Sequence, residues 1–325
     1  MTSPIFGSGT NLTLSRAISD IRDRLGTVSQ EAVTGRRTDL TASLNGRIDT
    51  AFLAQRAIDG LETDRGQLNL REIRLDLVQQ SLAQVRDASA GLDTRLSAAL
   101  GTGDTRRIEL AADDAATAID QIFSALNVRH GERYLFAGDA TDTPPFSDGD
   151  ALISDIRQIA ITAIDAADFN AALNTYFNDP SGGFQQTLYG GTPTASDSDA
   201  VVGIDPAIAE ILSGLSTLAL GRRDEIIPLF DNEPEIFQSA ATALFSGQTS
   251  IINLQADRGV IQQRVEREQQ SLDVEETILV QTLNNLTARD QFEAASELQE
   301  LQVNLEAAFL ITSRLANLSI LNFVR

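Results

Sequence analysis

The chain has no cysteine, no lysine and no tryptophan, and only one histidine, one methionine and three tyrosines in 325 residues. Each absence removes a class of chemistry. Without cysteine there is no disulfide and no thiolate metal site. With His130 as the sole imidazole, neither a histidine-based triad nor a multi-histidine metal centre can be assembled. Aromatics make up 5% of the chain, few for a large globular core that leans on ring packing. The 25 basic residues, all arginine, stand against 46 acidic ones, and a net charge of −21 argues against a surface for nucleic acid. No stretch approaches the roughly 18 apolar residues of a membrane span. The first twenty or so residues lack the charged and apolar segments of a secretory signal peptide, so export, if it occurs, is expected to use another signal. No Walker A or G-x-G-x-x-G loop follows a strand.

What the chain does have is leucine, isoleucine and alanine at helical spacing, the composition of long helices packed side by side. After a loose start with Pro4, Gly7 and Gly9, a helix is expected to open near Asn11 or Thr13. Leu14, Ile18, Ile21, Leu25, Val28 and Ala32 then alternate spacings of four and three, a heptad seam. The turn Thr34-Gly35-Arg36-Arg37 stops it. At the other end, residues 290–325 contain no proline or glycine, and Leu298, Leu301 and Leu305 keep the same alternation, followed by Ile311, Leu315, Leu318 and Leu321. Each stripe is the natural partner of the other. Such stripes serve an internal core as readily as an assembly. Their place at the two chain ends decides between the two, because a two-helix coil is too thin to cover both. These twelve leucine, isoleucine and valine positions, Leu14 to Val28 and Leu298 to Leu321, are therefore the expected assembly interface, of the kind that builds rings or helical tubes.

Between the ends, one long helix or two nearly continuous ones are expected over 48–100, weakened by Gly60, Gly66 and Gly91. Asp104 or Thr105 caps the next, whose stripe runs Ile108, Ala112, Ala115, Ile119, Ile122 and Leu126. Residues 139–204 are the least regular part: helices over 151–167 and 168–177, and a hairpin pairing 184–189 with 201–204. Asp205-Pro206 opens a helix to about 220, Asn232-Glu233-Pro234 another to about 245, and a long pattern resumes from Thr249 to a joint at Thr287-Ala288-Arg289-Asp290. The expected fold is mainly α, an elongated rod of long antiparallel helices with a small α/β insertion. Its domains would be 1–40 with 288–325, 41–138 with 205–287, and the insertion 139–204. No catalytic, cofactor-binding or metal residue is assigned. The carboxylates at 139, 142, 148 and 150 lack an EF-hand frame and read as turns, and Arg36-Arg37, Arg106-Arg107 and Arg222-Arg223 read as ion-pair partners for the many acids or as patches between subunits.

Three segments carry a family resemblance. Arg133-Tyr134-Leu135-Phe136-Ala137-Gly138 with Thr141-Asp142-Thr143-Pro144-Pro145-Phe146, the turn at Thr34–Arg37, and the ending Leu298-Gln299 through Arg314-Leu315-Ala316-Asn317-Leu318-Ser319 to Phe323 resemble the flagellin superfamily. Within it they resemble the hook–filament junction proteins (hook-associated protein 3). Asp39-Leu40-Thr41-Ala42 departs from the S-D-D-P or D-D-A-A that usually follows the turn. The resemblance implies a structural, non-enzymatic protein of the bacterial flagellum, without cofactor, exported through the type III apparatus. It implies partners as well: further copies of itself, hook-associated protein 1, flagellin, and a cytosolic chaperone on the C-terminal helix. Filament flagellin is the alternative; an adhesin or hydrolase on a helical stalk is a more distant one.

Overall fold

The computed structural model describes residues 8–39, 48–222, 229–230 and 233–323, and side chains within these ranges except at 8–11, 48 and 315–323. The elements run α1 Ser8–Thr34, α2 Ile48–Ser89, α3 Leu92–Thr102, α4 Thr105–Leu126, β1 Arg129–His130, β2 Arg133–Tyr134, α5 Gly149–Thr162, α6 Ala166–Asn178, a π-helical turn Phe184–Leu188, α7 Pro206–Ala219, α8 Glu235–Thr287 and α9 Gln291–Phe323. The chain forms two compact units, Met1–Arg65 with Gln270–Arg325, and Gly66–Gln269.

In the second unit the periodic stripes become core. Leu82, Val85, Leu92, Leu96, Ile119, Ile122 and Leu126 are buried, and Ala112 and Ala115, also buried, let α4 pack closely on its neighbours. The pattern over 48–100 resolves into two helices because Gly91 takes φ 71°, a left-handed turn that a helix cannot pass through. Gly103, at φ 63°, closes α3, and Asp104 caps α4 by accepting a hydrogen bond from the Arg107 amide at 3.2 Å. Asp205 does the same for α7 through Ala207 N at 3.0 Å, with Pro206 at the first helical position.

The expected hairpin between 184–189 and 201–204 does not form. Phe184–Leu188 is a π-helical turn, and the only described ladder is β1 with β2, Arg129 opposite Tyr134 and His130 opposite Arg133. Aromatic packing decides this. Phe146 stacks on Phe123 at 4.6 Å and meets Phe184 at 5.9 Å and Tyr189 at 5.7 Å, and a helical turn is what brings both 184 and 189 to one ring. Many of the few aromatics thus gather in one core, which residues 139–204 share with the helices on either side. Two further expectations change. Glu235–Thr287 is one helix rather than two, and α1 is already helical at Ser8.

The 133–146 motif is the keystone of this core. Asn127 brackets Phe146, its Nδ2 donating to the Phe146 carbonyl at 2.7 Å and its Oδ1 accepting from the Phe146 amide at 3.0 Å. The Tyr189 hydroxyl donates to the Phe136 carbonyl at 2.7 Å. Gly138 sits at φ 63° with the Thr192 carbonyl 2.2 Å from where a Cβ would stand, so no side chain fits there. The acids near the motif serve turns. Asp139 accepts from Ser196 N at 2.7 Å, and Asp148 caps α5. Two of the arginine pairs supply ion pairs, Arg107 to Asp104 and Arg222 to Asp113.

Candidate assembly site

The first unit holds both chain ends. α1 and α9 lie antiparallel: Arg22 rests over the Phe309 ring at 5.2 Å, Arg24 bonds Glu297 at 2.8 Å, and Glu31 meets Arg289. The seam between them follows the heptads. Val28 and Leu301 are buried together with Ala294, and Ile21, Leu25, Ala32 and Leu298 pack against these three. Leu14, Ile18 and Leu305 are half-buried. Ile311 lies off the seam and is 51% exposed. The alternation that passes through 294, 298, 301 and 305 continues to Ala308 and Thr312, so Ile311 is rotated by about 100° onto the next face. The side chains of Leu315, Leu318 and Leu321 lie outside the described residues.

Above the seam is a joint. Gly35, at φ 66°, ends α1, and its carbonyl accepts from Arg289 N at 2.9 Å. Arg37 N donates to the Thr287 carbonyl at 2.8 Å, and Arg36 bridges Ala288. One short antiparallel contact therefore stitches the end of α1 to the break between α8 and α9. Buried charge reinforces it. Arg289 donates to Glu297 at 2.5 Å, with its Nε 3.7 Å from Glu31, and Glu31 accepts from Thr38 N at 2.7 Å. Both Arg289 and Glu31 are about nine-tenths buried, so either without the other is a charge left in a low-dielectric site. Heptad counting did not find Glu31, Arg289, Ala294 or Glu297. Ala294 was findable, since it stands one step before Leu298 in the same alternation.

The outward faces are unequal. α1 presents mainly charged and polar residues, whereas α9 exposes Phe292, Val303, Phe309, Leu310 and Ile311. The lower part of α8 adds Val274 and Ile278, 61% and 59% exposed. α2 is held to it by Arg65, which bonds Asp273 at 2.6 Å and Glu276 at 2.5 Å. Among the described residues no helix is long and apolar enough to cross a membrane, so these faces are not spans.

Comparison with known proteins bears on the same segment. The family model for the bacterial flagellin C-terminal helical region matches residues 243–324, which take in most of α8 and all of α9. No curated protein matches the chain by sequence. Among solved structures the chain is similar to FlgL of Bacillus cereus, at 12% identity and a TM-score of 0.48, over 71% of this chain and 98% of that one. The family likeness thus falls on residues 243–324, the helical C-terminal part of the chain.

Proposed function

We propose that the protein is a structural subunit of the bacterial flagellum, a hook-associated protein that polymerises between hook and filament. One observation carries this: two helices of 27 and 33 residues share a seam in which, among the described side chains, three apolar ones are buried, while α9 turns a second apolar face outward. Burial on that scale, at about 1.5–3 kcal/mol per side chain, is small against the entropy of ordering so many residues. Covering the outer face with neighbouring copies supplies the difference. The seam residues Leu14, Ile18, Ile21, Leu25, Val28, Leu298, Leu301, Leu305, Leu315, Leu318 and Leu321, with Ile311 on the adjacent face, carry assembly in this reading. The terminal helices form one domain, the long helices another, and residues 139–204 a surface region. Before export an apolar-binding chaperone covers α9; afterwards the hook-side protein and flagellin are the axial neighbours.

The choice of junction over filament subunit rests on the likeness of the C-terminal run to junction proteins. Immunogold microscopy of intact flagella tests it. Label is expected at the hook–filament boundary alone, and label along the whole filament makes the protein a filament subunit instead.

A further inference from the structure

We propose that the cleft walled by α6, α7 and the start of α8 binds a neutral saccharide of one or two rings. The cleft lies within the second unit and encloses about 350 Å³, the small end of the range for ligand pockets. Asn170, Asn174 and Asn178 line one wall at intervals of four residues, about 6 Å apart along α6. Ser213 and Thr217 of α7 and Ser239 of α8 line the others. Amides and hydroxyls both donate and accept, as saccharide hydroxyls require.

Thr217 points to a ligand by itself. It is 1% exposed, and its hydroxyl has no hydrogen-bond partner. A helical threonine ordinarily returns that hydroxyl to a carbonyl one turn back, as Thr175 does to Ala171 at 3.0 Å. An unpaired buried hydroxyl is destabilising, and a ligand hydroxyl in the cleft relieves it. Across the cleft, Asn170 Nδ2 reaches Ser239 Oγ only at 3.5 Å, a contact weak enough to exchange for a ligand. Leu173, Phe177 and Ile236 add an apolar floor suited to the C–H face of a pyranose.

Charge narrows the class. Among the described residues no arginine lines the cleft, and the one ionisable side chain there, Glu210, accepts from Ser250 at 3.2 Å. Phosphate, sulfate and carboxylate groups thus find no cation here, and the net charge of −21 repels them further. What remains is an uncharged, hydroxyl-rich ligand.

Saturation-transfer NMR on the full chain, with glucose, N-acetylglucosamine and maltose as probes, tests this. Transfer to the ring protons of at least one probe is expected. Asn174→Leu, at an exposed position, and the near-isosteric Thr217→Val are each expected to weaken binding about tenfold. Should Thr217→Val fail to fold by circular dichroism, Ser239→Leu at the exposed rim takes its place. N-acetylneuraminic acid and triglycine amide run alongside. No transfer to any of the three sugars, transfer unchanged in the variants, or stronger transfer to the anionic sugar or the peptide overturns the proposal.

Discussion

Arg289 shows how much a single side chain can hold. Its guanidinium bonds Glu297, faces Glu31 and has its own backbone amide tied to Gly35. Arg289→Met strands Glu31 without its counter-charge, at a cost of about 3 kcal/mol. Hydrogen exchange at the amides of Val28 and Leu301 is expected to quicken in that variant, while the amides of Ile119 and Ile122 stay protected. Exchange unchanged at the seam would remove the joint from the account of how the two helices are held. Tyr189 supplies a second residue-level test. Burial pushes its hydroxyl up to about 12, and burial, with the Asp155 hydrogen bond, pushes Tyr176 higher still. A raised folded value means stability is fully present below about pH 10, the unfolded value, and falls as pH rises toward 12. Denaturant melts of the wild type are expected to lose about 1.4 kcal/mol per pH unit for each of the two tyrosines in that window. Tyr189→Phe loses one such contribution, and about 1 kcal/mol at neutral pH for the bond to Phe136.

At the scale of elements, the helices and their ends are legible in the sequence, and the contacts that tie those ends together are not. The heptads at Leu14–Val28 and Leu298–Leu305 name their faces because a 3.5-residue period survives any tertiary setting. Capping read equally well: Asp104, Asp205 and Gly35 end or begin helices as their side chains, or lack of one, dictate. The false hairpin at 184–204 failed for the opposite reason. Short apolar runs carry no period, and what shapes them is a ring cluster drawn from residues 123, 146, 184 and 189. The Thr217 cleft was illegible for a similar reason, since its walls come from three helices and only the fold brings them together. Gly35 offers the cleanest element-level test. A Cβ there stands 3.3 Å from the Gln291 side chain, which can yield, but φ 66° remains. Gly35→Ala is thus expected to cost about 1–2 kcal/mol from backbone strain alone, read as faster exchange along α1 with the second unit unaffected.

For the molecule as a whole, the outer face of α9 is where the proposed assembly can be tested apart from folding. Leu310→Asp changes a residue 63% exposed in the single chain, so circular dichroism and melting are expected to stay within about 0.5 kcal/mol of wild type. Polymerisation, followed by sedimentation, is expected to fail. Leu301→Asp, in contrast, buries a charge in the seam and is expected to loosen α1 and α9 even in the monomer. If Leu310→Asp still polymerises normally, the outward face is not where the copies meet.

The seam also fixes an order of events. Arg24 and Glu297 stand 273 positions apart, and the Gly35 turn is closed by Arg289. α1 therefore pairs chiefly with α9, the described helix farthest from it along the chain. Closing so long a loop is slow, and its entropy is offset only after everything between has been made. α1 thus stays without this partner until α9 has been made, whereas the core around Phe146 draws on residues 78–254 alone. A chain stopped before Ala288 is expected to fold that core, as judged by near-ultraviolet dichroism, while the amides of α1 exchange at the rate of an unfolded peptide.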